Sequence, residues 1–268
     1  MHEYYNIRDR VEDLPKNGKI TFSKEEVERQ FPGLSTHNIH NTLHRLVLKK
    51  KVQSVWRGFR VVVPVEYGLK GVVDPIEYID RLMDYPGKEY YIGLLSASAI
   101  HGAAHRQPME LMLITASNHL REKIKNDVKI SFSAKKDIPG RYIRQVAVRS
   151  GYIPVSTPEL TAIDLLLHVK KSGGLNRVAT VLNELAEVID FEKVSPDFFR
   201  NIKTAEVRRL GYLPDTPGFP EAAGTLLRKA VEANLQFRRY PLCIKKNTSV
   251  FPVDKKWKIV INEIVETD

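Results

Sequence analysis

The chain has 268 residues, 43% of them hydrophobic, and its 42 Lys and Arg against 32 Asp and Glu leave a net charge of +10. That length accommodates two modest domains or one large one, and the cation excess favours a polyanionic partner without defining one. No run of about 18 apolar residues occurs, so no membrane-spanning helix is expected, and the lone Cys243 excludes an internal disulfide framework. The opening Met1-His2-Glu3-Tyr4-Tyr5 lacks a signal-peptide core, and a cytoplasmic location is the expectation.

In chain order, Tyr4, Ile7, Val11 and Leu14 recur at helical spacing, and Pro15 and Gly18 end that helix. Ile20–Phe22 is short and β-prone. Ser23-Lys24-Glu25-Glu26 reads as a capping box, with Phe22 and Val27 as its hydrophobic staple. This second helix runs out at Phe31-Pro32-Gly33. A third is predicted to start at Ser35, with Leu34 and Ile39 as staple and with Ile39, Leu43, Leu46 and Val47 as its buried stripe.

The opposite face of the third helix shows His37, Asn38, Asn41, Arg45 and, nearer the edge, His44. From Ser35 through Val65 there is no Asp or Glu. Val52–Trp56 and Phe59–Val63 read as two strands joined through Arg57-Gly58. Helix, short strand, two helices and a hairpin together predict a winged helix-turn-helix, and an acid-free surface is what a phosphate backbone requires. Thr36, His37, Asn38 and Asn41 occupy the half of the third helix that such a fold presents to base edges. Arg45, Lys49, Lys50, Lys51, Arg57 and Arg60 are the expected phosphate contacts. Trp56 and Phe59 flank the wing tip, and packing the wing onto the third helix is their expected role.

Pro64–Asp74 reads as a connector. Asp74 caps a helix opened by Pro75. Tyr90–His105 (YYIGLLSASAIHGAAH) reads as a helix rich in small residues, and Glu110–Thr115, Val128–Phe132, Arg141–Val148 and Gly151–Val155 read as strands. Thr157-Pro158-Glu159 opens a helix over Leu160, Ile163, Leu166 and Leu167. Helices are expected over Leu175–Val188, Pro196–Leu210 and Pro220–Leu235, and a closing hairpin over Ser249–Val253 and Trp257–Val265. Between Arg106 and Ser150 ten basic side chains face four acids, and Lys135, Lys136, Arg141 and Arg144 are expected to form a second positive surface for DNA or a protein partner. The predicted class is α+β. A winged helix-turn-helix spans residues 1–68, and a larger mixed α+β domain with a helical second half spans 69–268.

The segments Tyr90–Gln107 (YYIGLLSASAIHGAAHRQ), Ser156–Leu167 (STPELTAIDLLL) and Gly173–Glu187 (GGLNRVATVLNELAE) resemble the AbiEi antitoxins of type IV toxin–antitoxin systems. The winged helix ahead of them matches that family's arrangement. The resemblance implies an N-terminal domain that represses its own operon by binding repeated promoter sites in double-stranded DNA. It implies a C-terminal domain that counteracts a nucleotidyltransferase toxin, directly or through the toxin's effect, and that supports cooperative self-association on DNA.

No enzymatic activity, catalytic residue, cofactor or membrane partner is expected. The Gly-Ser turn and paired Asp residues of a nucleotidyltransferase are missing from the sequence, as are the P-loop and the G-x-S-x-G elbow. His101 and His105 have a zinc-compatible i,i+4 spacing, but Gly102 stands where a zinc protease needs Glu, so no metal is expected. Asp127-Val128-Lys129 supplies the acid-x-Lys half of a nuclease core without the preceding acid. The competing expectation is a one-component regulator whose C-terminal domain senses a ligand or dimerises.

Overall fold

The computed structural model describes residues 6–68, 71–103, 110–116, 120–125, 128–214 and 219–267. The described chain forms two compact units. One comprises residues 1–90, 119–131 and 145–153, and the other residues 91–118, 132–144 and 154–268.

The first unit begins with α1 (Ile7–Asp13), capped by Asn6, and β1 (Thr21–Ser23). The Ser23 hydroxyl accepts from the Glu26 amide at 3.1 Å, and the Glu26 carboxylate accepts from the Ser23 amide at 2.9 Å. This capping box opens α2 (Lys24–Gln30). Next come α3 (Thr36–Leu48), β2 (Val52–Trp56) and β3 (Phe59–Val62). Ile7, Val11, Phe22, Val27, Ile39, Leu43 and Leu46 share one core. Leu34, expected to form a staple with Ile39, is exposed, whereas Ile39 is buried. The sheet runs β1-β3-β2, antiparallel throughout. Helix, strand, helix, helix and hairpin in this order constitute the winged helix-turn-helix arrangement.

The unit continues past residue 68. Successive residues of β2 and β3 are buried on both faces of the sheet, so the wing needs cover that 68 residues do not supply. Later chain provides it. The buried Gln53 side chain accepts from the Val73 amide at 3.1 Å. Tyr85, just after α4 (Ile79–Asp84), packs against Phe59 with ring centroids 5.6 Å apart and the planes tilted by 49°. Lys123 lies over the Trp56 ring at 4.6 Å, and Arg149 pairs with Glu66 at 2.6 Å.

The remaining elements include a six-stranded sheet ordered β6-β7-β5-β4-β9-β8. Its strands are β4 (Tyr90–Ile92), β5 (Glu110–Thr115), β6 (Lys123–Lys125), β7 (Val128–Ala134), β8 (Ile143–Val148) and β9 (Gly151–Ser156). β4 and β9 are parallel, with Ile92 opposite Val155. Tyr90–Ile92 was expected to be helical and is strand instead. Gly93 explains the break: a Cβ there would lie 2.9 Å from Ile114, so the chain passes close to β5 before α5 (Leu94–Ile100) can begin. His105 lies outside the described residues.

In the second unit, Thr157 caps α6 (Pro158–Leu167), with Pro158 in its first turn. Every residue from Pro158 to Leu166 is buried, the polar Glu159, Thr161 and Asp164 included. It shares a core with α7 (Leu175–Leu185), α8 (Thr204–Tyr212) and α9 (Phe219–Glu232). The expected helix Pro196–Leu210 divides into a 3-10 turn, Pro196–Asn201, and α8. The closing strands also differ from expectation: β10 (Tyr240–Pro241) pairs in parallel with β11 (Ile259–Val260), and Val253 adds only an isolated bridge to Val260.

Trp257 fills the space beside Gly211 that a Cβ would occupy. Gly211→Ala therefore overpacks the core and is expected to lower stability by about 1–3 kcal/mol. A shift in the urea midpoint of the full chain measures this, and an unchanged midpoint would contradict the packing of Trp257 on α8.

Candidate nucleic-acid interface

Ser35 caps α3 by accepting from the Asn38 amide at 3.2 Å. The first turn of α3 contains no acid, whereas α2 opens on Glu25 and Glu26. With Ile39, Leu43 and Leu46 buried, Thr36, His37 and Asn38 face solvent. The Asn41 side-chain amide lies 2.9 Å from His37 Nε2, within hydrogen-bond distance. These two base-readout candidates therefore act as a pair. His40 and His44 stack along the same helix at 6.3 Å, and Arg45 is exposed.

Helix α3 ends in a Schellman motif. The Lys51 amide donates to Leu46 O at 3.0 Å and the Lys50 amide to Val47 O at 2.9 Å. Lys50 occupies the left-handed position with φ of 54°. Lys49 and Lys50 are exposed. Lys51 is engaged by Glu12 at 2.5 Å, and Glu12 also takes Arg8 at 3.1 Å. These partners hold the Glu12 carboxyl below its usual range.

Arg57 is exposed at the wing turn. The neighbouring Gly58 has φ of +82°, and a Cβ there would collide with the Tyr85 hydroxyl, which itself donates to Glu25 at 3.2 Å. Arg60 departs from its expected role. β3 is the central strand, so Arg60 lies between Phe22 and Ser54 in register. Its Nε and Nη1 are buried without a hydrogen-bond partner, and burial pulls its pKa down while Glu25 opposes the shift. Two of its three guanidinium nitrogens are thereby withdrawn from solvent. Phe59 is buried against Tyr85 and Trp56 is covered by Lys123, so later chain packs them rather than α3 alone. Lys123 and Arg149 join the basic set of this unit, which sequence spacing did not reveal.

The expected second positive surface needs a larger correction. Lys135 is only 8% exposed and donates to the fully buried Asp164 at 2.7 Å. Tyr91 donates to the other Asp164 oxygen, also at 2.7 Å. Burial raises the Asp164 pKa, and the ammonium and hydroxyl oppose the rise. Lys135 thus neutralises the core of α6 instead of meeting a partner. Lys136 and Arg144 are exposed, and Arg141 lies 3.7 Å from Asp197.

His101 donates from Nε2 to the Ser156 carbonyl at 2.7 Å, and burial depresses its pKa. Among the described residues, no group of three or more His, Cys, Asp and Glu could hold a metal ion. Asp127 of the weak nuclease pattern lies outside the described residues. No described helix is long and apolar enough to cross a membrane.

Residues 91–216 match the family model of the AbiEi antitoxin C-terminal domain. That stretch, just under half of the chain, is similar to an AbiEi antitoxin C-terminal domain. The matched stretch begins one residue before β4 ends and runs through α8, so it includes Lys135, Asp164 and Tyr91. Among solved structures, the RV2827C protein from Mycobacterium tuberculosis superposes with a TM-score of 0.68. The match covers 94% of this chain and 89% of that one at 12% identity, which speaks for the fold alone. A search of curated proteins finds no match to the sequence.

His168, just past α6 of the AbiEi-like domain, has its Nε2 buried without a partner. Burial first, then Lys171 and Lys135, depress its pKa to about 4. The unfolded chain takes up a proton near pH 6.5 that the folded chain refuses until about pH 4. Stability from this group is therefore complete above pH 6.5 and falls as pH drops toward 4, by roughly 1–2 kcal/mol once partial exposure is allowed for. His168→Gln is expected to flatten this part of the stability–pH curve, as read from urea midpoints at pH 7 and 4.5.

Proposed function

We propose that this protein is a non-enzymatic, DNA-binding antitoxin that represses its own promoter through the winged helix. Its C-terminal domain counteracts a nucleotidyltransferase toxin, as the family resemblance implies, and promoter binding is cooperative between copies. The observation that carries the DNA reading is α3: a capped, acid-free helix whose N-terminal half exposes Thr36, His37 and Asn38. Asn side chains pair with adenine edges in the major groove, and Arg45, Lys49, Lys50 and Arg57 are available to flanking phosphates. Lys51 contributes only if it leaves Glu12. Lys136, Arg141 and Arg144 remain as the proposed second basic surface, now without Lys135.

Two measurements test the DNA reading. Arg45→Ala is expected to weaken binding on all duplexes and to reduce the slope of log affinity against log salt by about one. Asn41→Ala is expected to cost roughly 1–3 kcal/mol on the preferred promoter sequence and little on random DNA. Equal losses on both duplexes for Asn41→Ala would remove α3 from base readout.

The antitoxin reading is tested by growth rescue with the full chain, because the first unit includes segments beyond residue 90. Co-expression with the neighbouring nucleotidyltransferase is expected to restore growth, and to do so equally with an Arg45→Glu, Lys49→Glu variant that no longer binds DNA. Failure of rescue with promoter binding intact would leave a one-component regulator.

A further inference from the structure

The first unit contains a cavity of about 1070 Å3 that is separate from the exposed N-terminal half of α3. Its walls come from α1, the end of α3, the end of β3, the segment around Tyr67 and the turn at Arg149. Six cationic side chains line it against the three carboxylates Glu12, Glu66 and Glu77, over an apolar floor that includes Val11, Val62 and Pro64. We propose that this cavity binds a nucleoside phosphate.

Three observations lead there. First, two of the cations are held by exposed partners only, Lys51 by Glu12 at 2.5 Å and Arg149 by Glu66 at 2.6 Å. Exposed pairs contribute little, so a phosphate replaces the carboxylates at small cost while gaining charge-assisted hydrogen bonds. Second, Lys50 holds a left-handed helix-end position with φ of 54°. Glycine fits that position with less strain, and strain kept at a cationic side chain lining a cavity marks a site where the side chain has work to do. Third, half-buried Tyr67 shares the cavity with Glu66 and Glu77. An aromatic face takes a planar base, and carboxylates accept from ribose hydroxyls or ring amino groups. A continuous DNA backbone fits less well, because three carboxylates oppose it and the cavity is concave. The volume is at the upper end for small-ligand sites.

The test uses the full chain without DNA, so its outcome is independent of promoter binding. Adenosine, guanosine, cytidine and uridine 5′-monophosphates and triphosphates are titrated by calorimetry, beside inorganic phosphate and the free nucleosides. Saturable 1:1 binding is expected for at least one nucleotide, at least ten-fold tighter than for inorganic phosphate or its nucleoside. Lys51→Ala with Arg149→Ala is expected to weaken it at least ten-fold, and Tyr67→Leu to remove most of the advantage over inorganic phosphate. Lys255→Ala, an exposed change in the second unit, is expected to have no effect. Lys50→Gly is the variant protected from misfolding: its thermal midpoint is expected to rise while nucleotide affinity falls at least five-fold. Absence of binding to every nucleotide, equal affinity for inorganic phosphate, or full affinity in both the double variant and Lys50→Gly would each overturn the proposal.

Discussion

A carboxylate with no solvent exposure lies on a helix that is packed on every side. Asp164 sits in α6, where each residue from Pro158 to Leu166 is buried, and an isolated ion there would be untenable. Lys135 from the end of β7 and Tyr91 from β4 compensate it, each at 2.7 Å. The pair therefore fixes three elements to one another: a strand on each side of β5 and the central helix. Replacing such a pair with apolar residues is often neutral, whereas removing one partner costs about 3–5 kcal/mol. What the pair supplies is register. Slipping β7 by one residue would send Lys135 to the other face of the sheet and leave Asp164 uncompensated. Positive charge from the same lysine helps keep His168 neutral, so the polar interior of the AbiEi-like domain is organised by one ammonium group.

The first unit meets a different constraint. A winged helix is usually thin at the wing, where one face of a two-stranded ribbon is open. Here Val52, Gln53, Val55, Phe59, Val61 and Val62 are all buried, and chain well beyond residue 68 closes over them. Tyr85 is central to this cover. Its ring lies on Phe59, its hydroxyl donates to Glu25, and Gly58 gives it room at the wing turn. The wing is thus held at its tip by a residue outside the helix-turn-helix and its hairpin. Arg60, on the middle strand, is half-buried, while Arg57 at the turn stays exposed.

Local signals in the sequence were sufficient for several helix starts. The Ser23–Glu26 box, the Ser35 cap and the Thr157-Pro158 opening depend on residues within four positions of one another, and each forms as read. What failed depended on partners far along the chain. Lys135 looks like any surface lysine beside Lys136 until Asp164, 29 residues later, is placed opposite it. Arg60 looks like a wing-tip cation until β1 is added outside β3. Tyr90–Ile92 carries a plausible helical spacing, and only its burial beside β9 makes it a strand. The limit at residue 68 followed from Pro and Gly in the connector, whereas the real extent of the unit follows from Gln53, Phe59 and Trp56 finding cover among residues 73, 85 and 123.

Helix α3 shows how much local stability this chain forgoes around one element. An acid in the first turn would gain about 0.3–1 kcal/mol from the helix dipole, and α2, its neighbour in the same motif, opens on two. The N-terminal turn of α3 has none, which leaves its partial positive charge and unpaired amides available to an anion. At the other end, glycine in the left-handed position would relieve roughly 1–2 kcal/mol of backbone strain, and Lys50 is there instead. Lysines at a helix end recover part of this through the dipole, but Lys49 would do so without Lys50 adopting a strained backbone. Both departures remove negative charge or add positive charge around a single 13-residue helix. Folding alone favours neither, whereas binding to phosphate favours both.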